Sequence, residues 1–239
     1  MMSSSPKPIS ETWQPELTRL PNLSLARRFF RRFFKGFCRF IVFACTRFKI
    51  RGLENYPHRG AAIVTINHLG DPDAILTLAA LPDFPEVIGK IEVRSIPVLR
   101  QVMDMLGIIW VHRGQPDRRA ITSALEALRQ GRRIIIAPEG RESVSGGLEE
   151  GTDGAAFLAI KSGAPVVPVT ITGSEFRLIE NNLKKLRRVP VEMKVGTPFM
   201  IKPGEDRKEA LKEGTRTIME ALARQLPAKY RGVYAYVED

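Results

Sequence analysis

Histidine and cysteine are scarce in this sequence: three and two, respectively, among 239 residues. Cys38 and Cys45 give neither a disulfide framework nor a metal-binding spacing, which suits a reducing compartment. No two histidines stand at ligand spacing and no acidic cluster follows a calcium-loop pattern, so no metal is expected. No serine or cysteine near His68 carries a nucleophile signature of the G-x-S-x-G kind. Internal repeats are lacking as well. Within the Phe-rich stretch near the N-terminus, the longest uncharged run is the seven residues 40–46, far short of the ~20 that a membrane-spanning helix needs. Arginines interrupt the apolar region that a signal peptide would require.

Acidic residues are missing where basic ones crowd. Residues 25–52 hold nine lysines and arginines and no acid, out of a net charge of +11, so the rest of the chain is close to neutral. The same segment, LARRFFRRFFKGFCRFIVFACTRFKI, carries eight of the twelve phenylalanines. At about 100° per residue, Phe29, Phe30, Phe33, Phe34, Phe37, Phe40 and Ile41 fall within an arc of roughly 140°. Arg28, Arg31, Arg32, Lys35 and Arg39 fall opposite, with Arg27 at the border. A cationic face opposite bulky apolar side chains is the pattern of a helix lying in an anionic membrane surface. The competing readings are a helix docked on its own domain and a nucleic-acid arm. Phosphate binding does not require an all-Phe opposite face, so no nucleic-acid partner is expected.

Residues 1–23 read as a flexible lead-in, 24–46 as the basic amphipathic membrane-interface helix, and 47–239 as a folded domain. Candidate strands are 48–52, 61–67, 86–90, 107–112, 133–137, 165–172 and 189–195. Candidate helices are 72–80, 96–106, 116–130, 152–162 and 206–225. This alternation predicts an α/β layered domain with a mostly parallel, mixed central sheet of about seven strands flanked by helices.

Ligands gather at the carboxyl ends of strands in such sheets. His68 follows AAIVTIN, Arg113 follows GIIWVH and Glu139 follows RRIIIAP, so three strand exits deliver a base, a cation and an acid. After His68 the chain reads Leu-Gly-Asp-Pro-Asp. Asp71 suits an N-cap, Pro72 a first helical position, and Asp73 falls in the first turn. Both acids thus have a capping explanation. The alternative is that Asp73 accepts the His68 Nδ1 proton, fixes its tautomer and supports its positive charge. A His–Asp pair without a nucleophile suits direct general-base attack by a substrate hydroxyl.

NHLGDPD resembles the N-H-x4-D motif of the glycerolipid acyltransferases, the family that includes the 1-acylglycerol-3-phosphate acyltransferases. GKIEVRSIPVLRQVMDMLGIIWVHRG resembles its second block, ending at Arg113. IAPEGRES resembles the third block and SGAPVVPVTI, with Pro168, the fourth. The resemblance covers roughly residues 47–200. It implies that His68 deprotonates an acceptor hydroxyl and that Asp73 orients it. It implies further that Arg113 and the third block bind the acceptor's phosphate, and that Glu139 and Gly140 shape that pocket. The acyl group would come from acyl-CoA or acyl-acyl carrier protein, without an acyl-enzyme intermediate or a resident cofactor. The acceptor would be a lysophospholipid at the cytoplasmic face of a membrane, and the product phosphatidic acid.

Three departures stand out. The third block reads Glu139-Gly140-Arg141-Glu142-Ser143, so its arginine is one residue early and Glu142 takes the arginine's usual place. Either Arg141 serves the phosphate or the acceptor head group differs. Gly70 stands where the first motif commonly has serine, and a lysine often seen before the 155–162 helix is missing. A non-catalytic membrane-binding relative is the other reading these departures leave open.

Overall fold

The segment AIVTI (β2, Ala62–Ile66) is buried at every position, as expected of a parallel strand covered on both faces. The computed structural model describes residues 18–112 and 117–238. In it β2 sits in the middle of a seven-stranded sheet with β1 (Thr46–Arg51), β3 (Glu86–Lys90), β4 (Ile109–Val111), β5 (Arg133–Ile136), β6 (Val166–Thr172) and β7 (Val189–Val195). The order is β1-β7-β6-β2-β5-β3-β4. Neighbours are parallel except β6 with β7. This is the mostly parallel, mixed α/β sheet the pattern predicts. Because β7 and its partner β1 run against the rest, they begin at the edge where β2 and β6 end.

Among the described residues seven α-helices cover the sheet: α1 (Leu25–Cys45), α2 (Pro72–Ala80), α3 (Pro97–Leu106), α4 (Arg118–Arg129), α5 (Gly154–Ser162), α6 (Phe176–Lys184) and α7 (Arg207–Gln225). Alternation along β2 divides the core. Ala62, Val64 and Ile66 pack with Cys38 and Val42 of α1 and Leu76 and Ala79 of α2. Ile63 packs on the other side with Ala124 of α4, Ala156 of α5 and Ile218 of α7. The alternating charges of α7 predict a solvated outer helix, yet its stripe of Thr215, Ile218, Met219 and Leu222 is buried. Helix α6 was not anticipated.

The two predicted faces of α1 are only partly kept: Phe30 and Phe34 of the apolar arc pack onto the domain, and so do cations of the opposite face. The side turned to the domain carries cations. Arg31 is 6% exposed; its guanidinium donates to Glu86 at 2.9 and 2.7 Å and to the carbonyls of Leu106 and Gly107 at 2.7 and 3.1 Å. Arg27 reaches the carbonyls of Asp104 and Met105, each at 3.3 Å. Lys35 donates to the carbonyls of Leu81 and Asp83, and burial lowers its pKa despite the Asp83 charge. These carbonyls lie at the C-terminal ends of α2 and α3, where unpaired C=O groups and the helix dipole favour a cation. Breaking a buried pair such as Arg31–Glu86 costs about 3–5 kcal/mol. Phe29, Phe33, Phe37 and Phe40 point away from the domain and are exposed, flanked by exposed Arg28, Arg32 and Arg39.

Residues 18–23, counted above with the flexible lead-in, are tied down. Thr18 is buried and its carbonyl accepts from the Ser123 hydroxyl of α4. Residues 1–17 lie outside the described residues. No helix among those described is long and apolar enough to cross a membrane.

Candidate active site

The chain leaves β2 at Asn67, whose side chain takes over the sheet's hydrogen bonding. Its amide donates to the Ile171 carbonyl at 2.9 Å and its carbonyl accepts from the Ile171 N–H at 2.7 Å. Residue 68 therefore starts from a fixed point. The His68 Nδ1 lies 3.0 Å from Asp73 Oδ2. That same oxygen accepts the backbone N–H groups of Leu69 at 2.7 Å and Gly70 at 2.9 Å. Asp73 is fully buried, while the His68 side chain is 19% exposed. Asp71 makes no side-chain capping bond, and Asp73 binds the turn before α2, not the helix's own first N–H groups. Capping of α2 therefore does not explain either acid.

The electrostatics suit a base. Burial alone would push His68 down, but the hydrogen bond and charge of Asp73, with Glu142 and Glu139 nearby, outweigh it and raise the pKa above 6.5. Oδ1 of Asp73 is buried without a hydrogen-bond partner among the described residues. Such an orphaned acceptor costs about 1–3 kcal/mol, which marks the site as organised for something other than stability.

Glu139 proves to be a bolt. One carboxylate oxygen accepts the His68 N–H at 3.0 Å and the other the Glu149 N–H at 2.8 Å. It is 5% exposed, and burial holds its pKa up at about 7 against those donors. The Ser143 N–H closes the frame on the His68 carbonyl at 2.8 Å. Gly140 turns the chain between them at φ 72°, a conformation that favours glycine. Arg141 is exposed and paired with Glu149 at 2.5 Å. Glu142 places Oε1 3.5 Å from where a Cβ on Gly70 would stand. Arg113 lies outside the described residues. His112 beside it bonds through Nδ1 to Asp117 at 2.8 Å.

The C-terminal tail, to which the sequence assigns no job, braces this frame. Leu69 packs with Leu148, Met219, Leu222, Tyr230 and Val237. Leu148 donates to the Tyr230 carbonyl and accepts from Val233. Gly232 sits at φ 51°, and a Cβ there would meet the Leu148 carbonyl oxygen at 2.0 Å. No spacing rule links residues 69, 148 and 230, so nothing in the sequence announces this contact.

The site is thus a buried carboxylate bonded to a partly open imidazole at a strand exit of a layered α/β domain. The chain belongs to the Acyltransferase family, whose pattern it matches over residues 47–172. It is similar to the chloroplastic 1-acyl-sn-glycerol-3-phosphate acyltransferase of Brassica napus, 34% identical over 52% of this chain and 37% of that one. The Arabidopsis thaliana chloroplastic enzyme of the same description is 30% identical over 63% of this chain and 45% of its own. The chain spans about half the length of the curated relatives it matches. The crystal structure of the 1-acyl-sn-glycerophosphate acyltransferase PlsC from Thermotoga maritima shares the fold, with a TM-score of 0.61 over 82% of this chain and 80% of that one, at 24% identity.

Proposed function

We propose that this chain is an O-acyltransferase that moves an acyl group from a thioester, acyl-CoA or acyl-acyl carrier protein, to the sn-2 hydroxyl of 1-acylglycerol-3-phosphate. The observation that carries the reading is the His68–Asp73 contact, with the aspartate fully buried and the imidazole partly open. With Nδ1 committed to Asp73, the other ring nitrogen is the one left to take the hydroxyl proton. The alcohol oxygen then forms its bond to the thioester carbonyl carbon, the C–S bond breaks, and the departing thiolate takes the proton from His68, restoring the neutral imidazole. Asp73 supports the imidazolium in between.

Arg113, with Arg141 from the third block, is the proposed phosphate clamp, since a guanidinium offers bidentate charge-assisted bonds. Glu139 and Gly140 shape that pocket by holding the turn. The exposed phenylalanines of α1, with Arg28, Arg32 and Arg39 at their flank, support attachment to an anionic membrane surface, taken here as the cytoplasmic face. Assaying thiol release from acyl-CoA with lysophosphatidate tests the reading. The wild type should release thiol only when acceptor is present, and the His68→Ala protein should stay folded and release it at least about a hundredfold more slowly.

One observation favours a second acceptor. Glu142 lies near both Gly70 and His68, where its charge opposes a phosphate. A lysolipid or lipid-like acceptor without that charge fits this feature better, and a screen of acceptors against one labelled donor separates the two.

A further inference from the structure

Helix α6 ends in an unusual way. The Arg187 N–H bonds to the Asn182 carbonyl and the Leu186 N–H to the Leu183 carbonyl, both at 2.9 Å. This paired closure is the Schellman arrangement, and Leu186 occupies its left-handed position at φ 51°, where glycine is the usual residue. Leu186 is the only non-glycine residue with positive φ among those described. It is also 96% exposed. A leucine here bears the backbone strain and gains no burial within this protein. Strain kept without a structural return points to function.

The surroundings name the partner. The segment reads Leu183-Lys184-Lys185-Leu186-Arg187-Arg188. Lys184 is held by Glu180 at 2.6 Å and Arg188 donates to the Phe43 carbonyl on α1. Lys185 and Arg187 are exposed, with no ion pair among the described residues. Phe176 and Leu183 of α6 are also exposed, at 64% and 41%. An apolar tip collared by cations suits a bilayer carrying anionic headgroups.

Topology puts this tip in the right place. Thr46 stands opposite Val189 in the parallel pair β1–β7. The end of α1 and the Leu186 turn therefore leave the sheet side by side, about 4.8 Å apart in strand spacing. Since β7 opposes β6 and β6 parallels β2, that edge is the one at which His68 emerges. The C-terminal end of α1, with exposed Phe40 and Phe43, the Leu186 tip and the candidate base thus share one edge of the sheet.

We infer that the turn at 183–188 is a second membrane contact, with Leu186 entering the bilayer interface and Lys185 and Arg187 on anionic lipid phosphates, so that the His68 edge faces the bilayer. The inference rests on the membrane reading of α1 given above. The test is partitioning of the full chain onto vesicles of phosphatidylcholine with phosphatidylglycerol, beside thermal melting. Leu186→Gly should lower the partition coefficient about tenfold while raising the melting temperature, because glycine relieves the turn. The double change Lys185→Gln and Arg187→Gln should weaken binding several-fold at low salt and less at high salt. Partitioning of Leu186→Gly equal to wild type overturns the proposal. Phe33→Ser on α1 separates the two levels. If it weakens binding and Leu186→Gly does not, the turn is wrong and the α1 anchor stands; if neither does, both fall.

Discussion

The chain carries the same sequence pattern twice. His68-Leu-Gly-Asp-Pro-Asp73 and His112-Arg-Gly-Gln-Pro-Asp117 share their spacing, their glycine and their proline. Each follows a strand and leads into a helix, β2 into α2 and β4 into α4. Each brings Nδ1 of its histidine within 3.0 Å of the aspartate's Oδ2. They differ in what the rest of the carboxylate does. Oδ1 of Asp117 accepts from the N–H groups of Arg119 and Ala120 at 3.1 Å, an ordinary N-cap. Oδ1 of Asp73 accepts from nothing described, and its Oδ2 gathers the turn around His68. His68 is further framed by Glu139 and Ser143. Spacing alone thus yields a His–Asp contact; what distinguishes the two is whether the carboxylate is used up in starting a helix.

The sharpest way to break this comparison is to remove each imidazole. His68→Ala should cost on the order of 10²–10⁴ in kcat, the range of a general base, while His112→Ala changes kcat by less than about tenfold. Equal losses would mean that the two histidines share the chemistry. Asp73→Asn should then lower kcat strongly, since it disturbs tautomer and charge support together. The pH profile sharpens the same point. With His68 as the proposed neutral base and its pKa raised, kcat/KM should fall as pH drops through a value above 6.5. Removing the Asp73 charge takes away the main raising influence, and that limb should move to lower pH. An unmoved limb would mean that His68 is not the titrating base.

Much of this was legible in the residues, and the exceptions have physical causes. Runs such as AIVTI and VVPVTIT announce buried strands because both faces are covered, and the N-H-x4-D spacing points at the base. Four things were not readable. The period of α1 shows two faces but not which one docks, because the carboxylate of Glu86 and the carbonyls at the ends of α2 and α3 that receive Arg31, Arg27 and Lys35 are far away in sequence. Helix α6 hid because it buries little and runs into a polar, basic turn. Glu139 looks like a substrate-facing acid, yet both its oxygens are held by backbone N–H groups that only the folded chain brings together. The tail's grip on Leu69 and Leu148 is a long-range contact of the same kind.

A middle-sized effect concerns stability and separates the two aspartates again. Asp117→Ala should destabilise the fold by about 0.5–2 kcal/mol through the lost cap of α4, with kcat little changed. Burial would push Asp117 up, but hydrogen bonds from His112 and from the backbone of Ala120 and His112 hold it below 3.8. Its contribution is therefore present above that value and lost as pH falls through the lowered one. Chemical denaturation at pH 7 and at low pH should show the wild type and the Asp117→Ala protein converging in acid. A constant gap would show that the loss comes from packing and not from the cap.

The smallest effect belongs to the bolt behind His68. Glu139 has a folded pKa of about 7 against an ordinary 4.5, so its contribution to stability is fully present below about 4.5 and fades as pH rises through about 7. His68 is also raised, but its contribution fades only above 6.5, which leaves the interval from 4.5 to 6.5 to Glu139 of these two. Glu139→Gln should flatten the fall of melting temperature across that interval. It should also lower the melting temperature throughout, because a Gln amide turns one N–H against a backbone N–H where the carboxylate offered two acceptors. At His112 the backbone N–H is instead accepted by Asp117 Oδ2, at 3.2 Å. A slope that survived Glu139→Gln would place the titration elsewhere and remove the frame as the feature that sets His68 apart from His112.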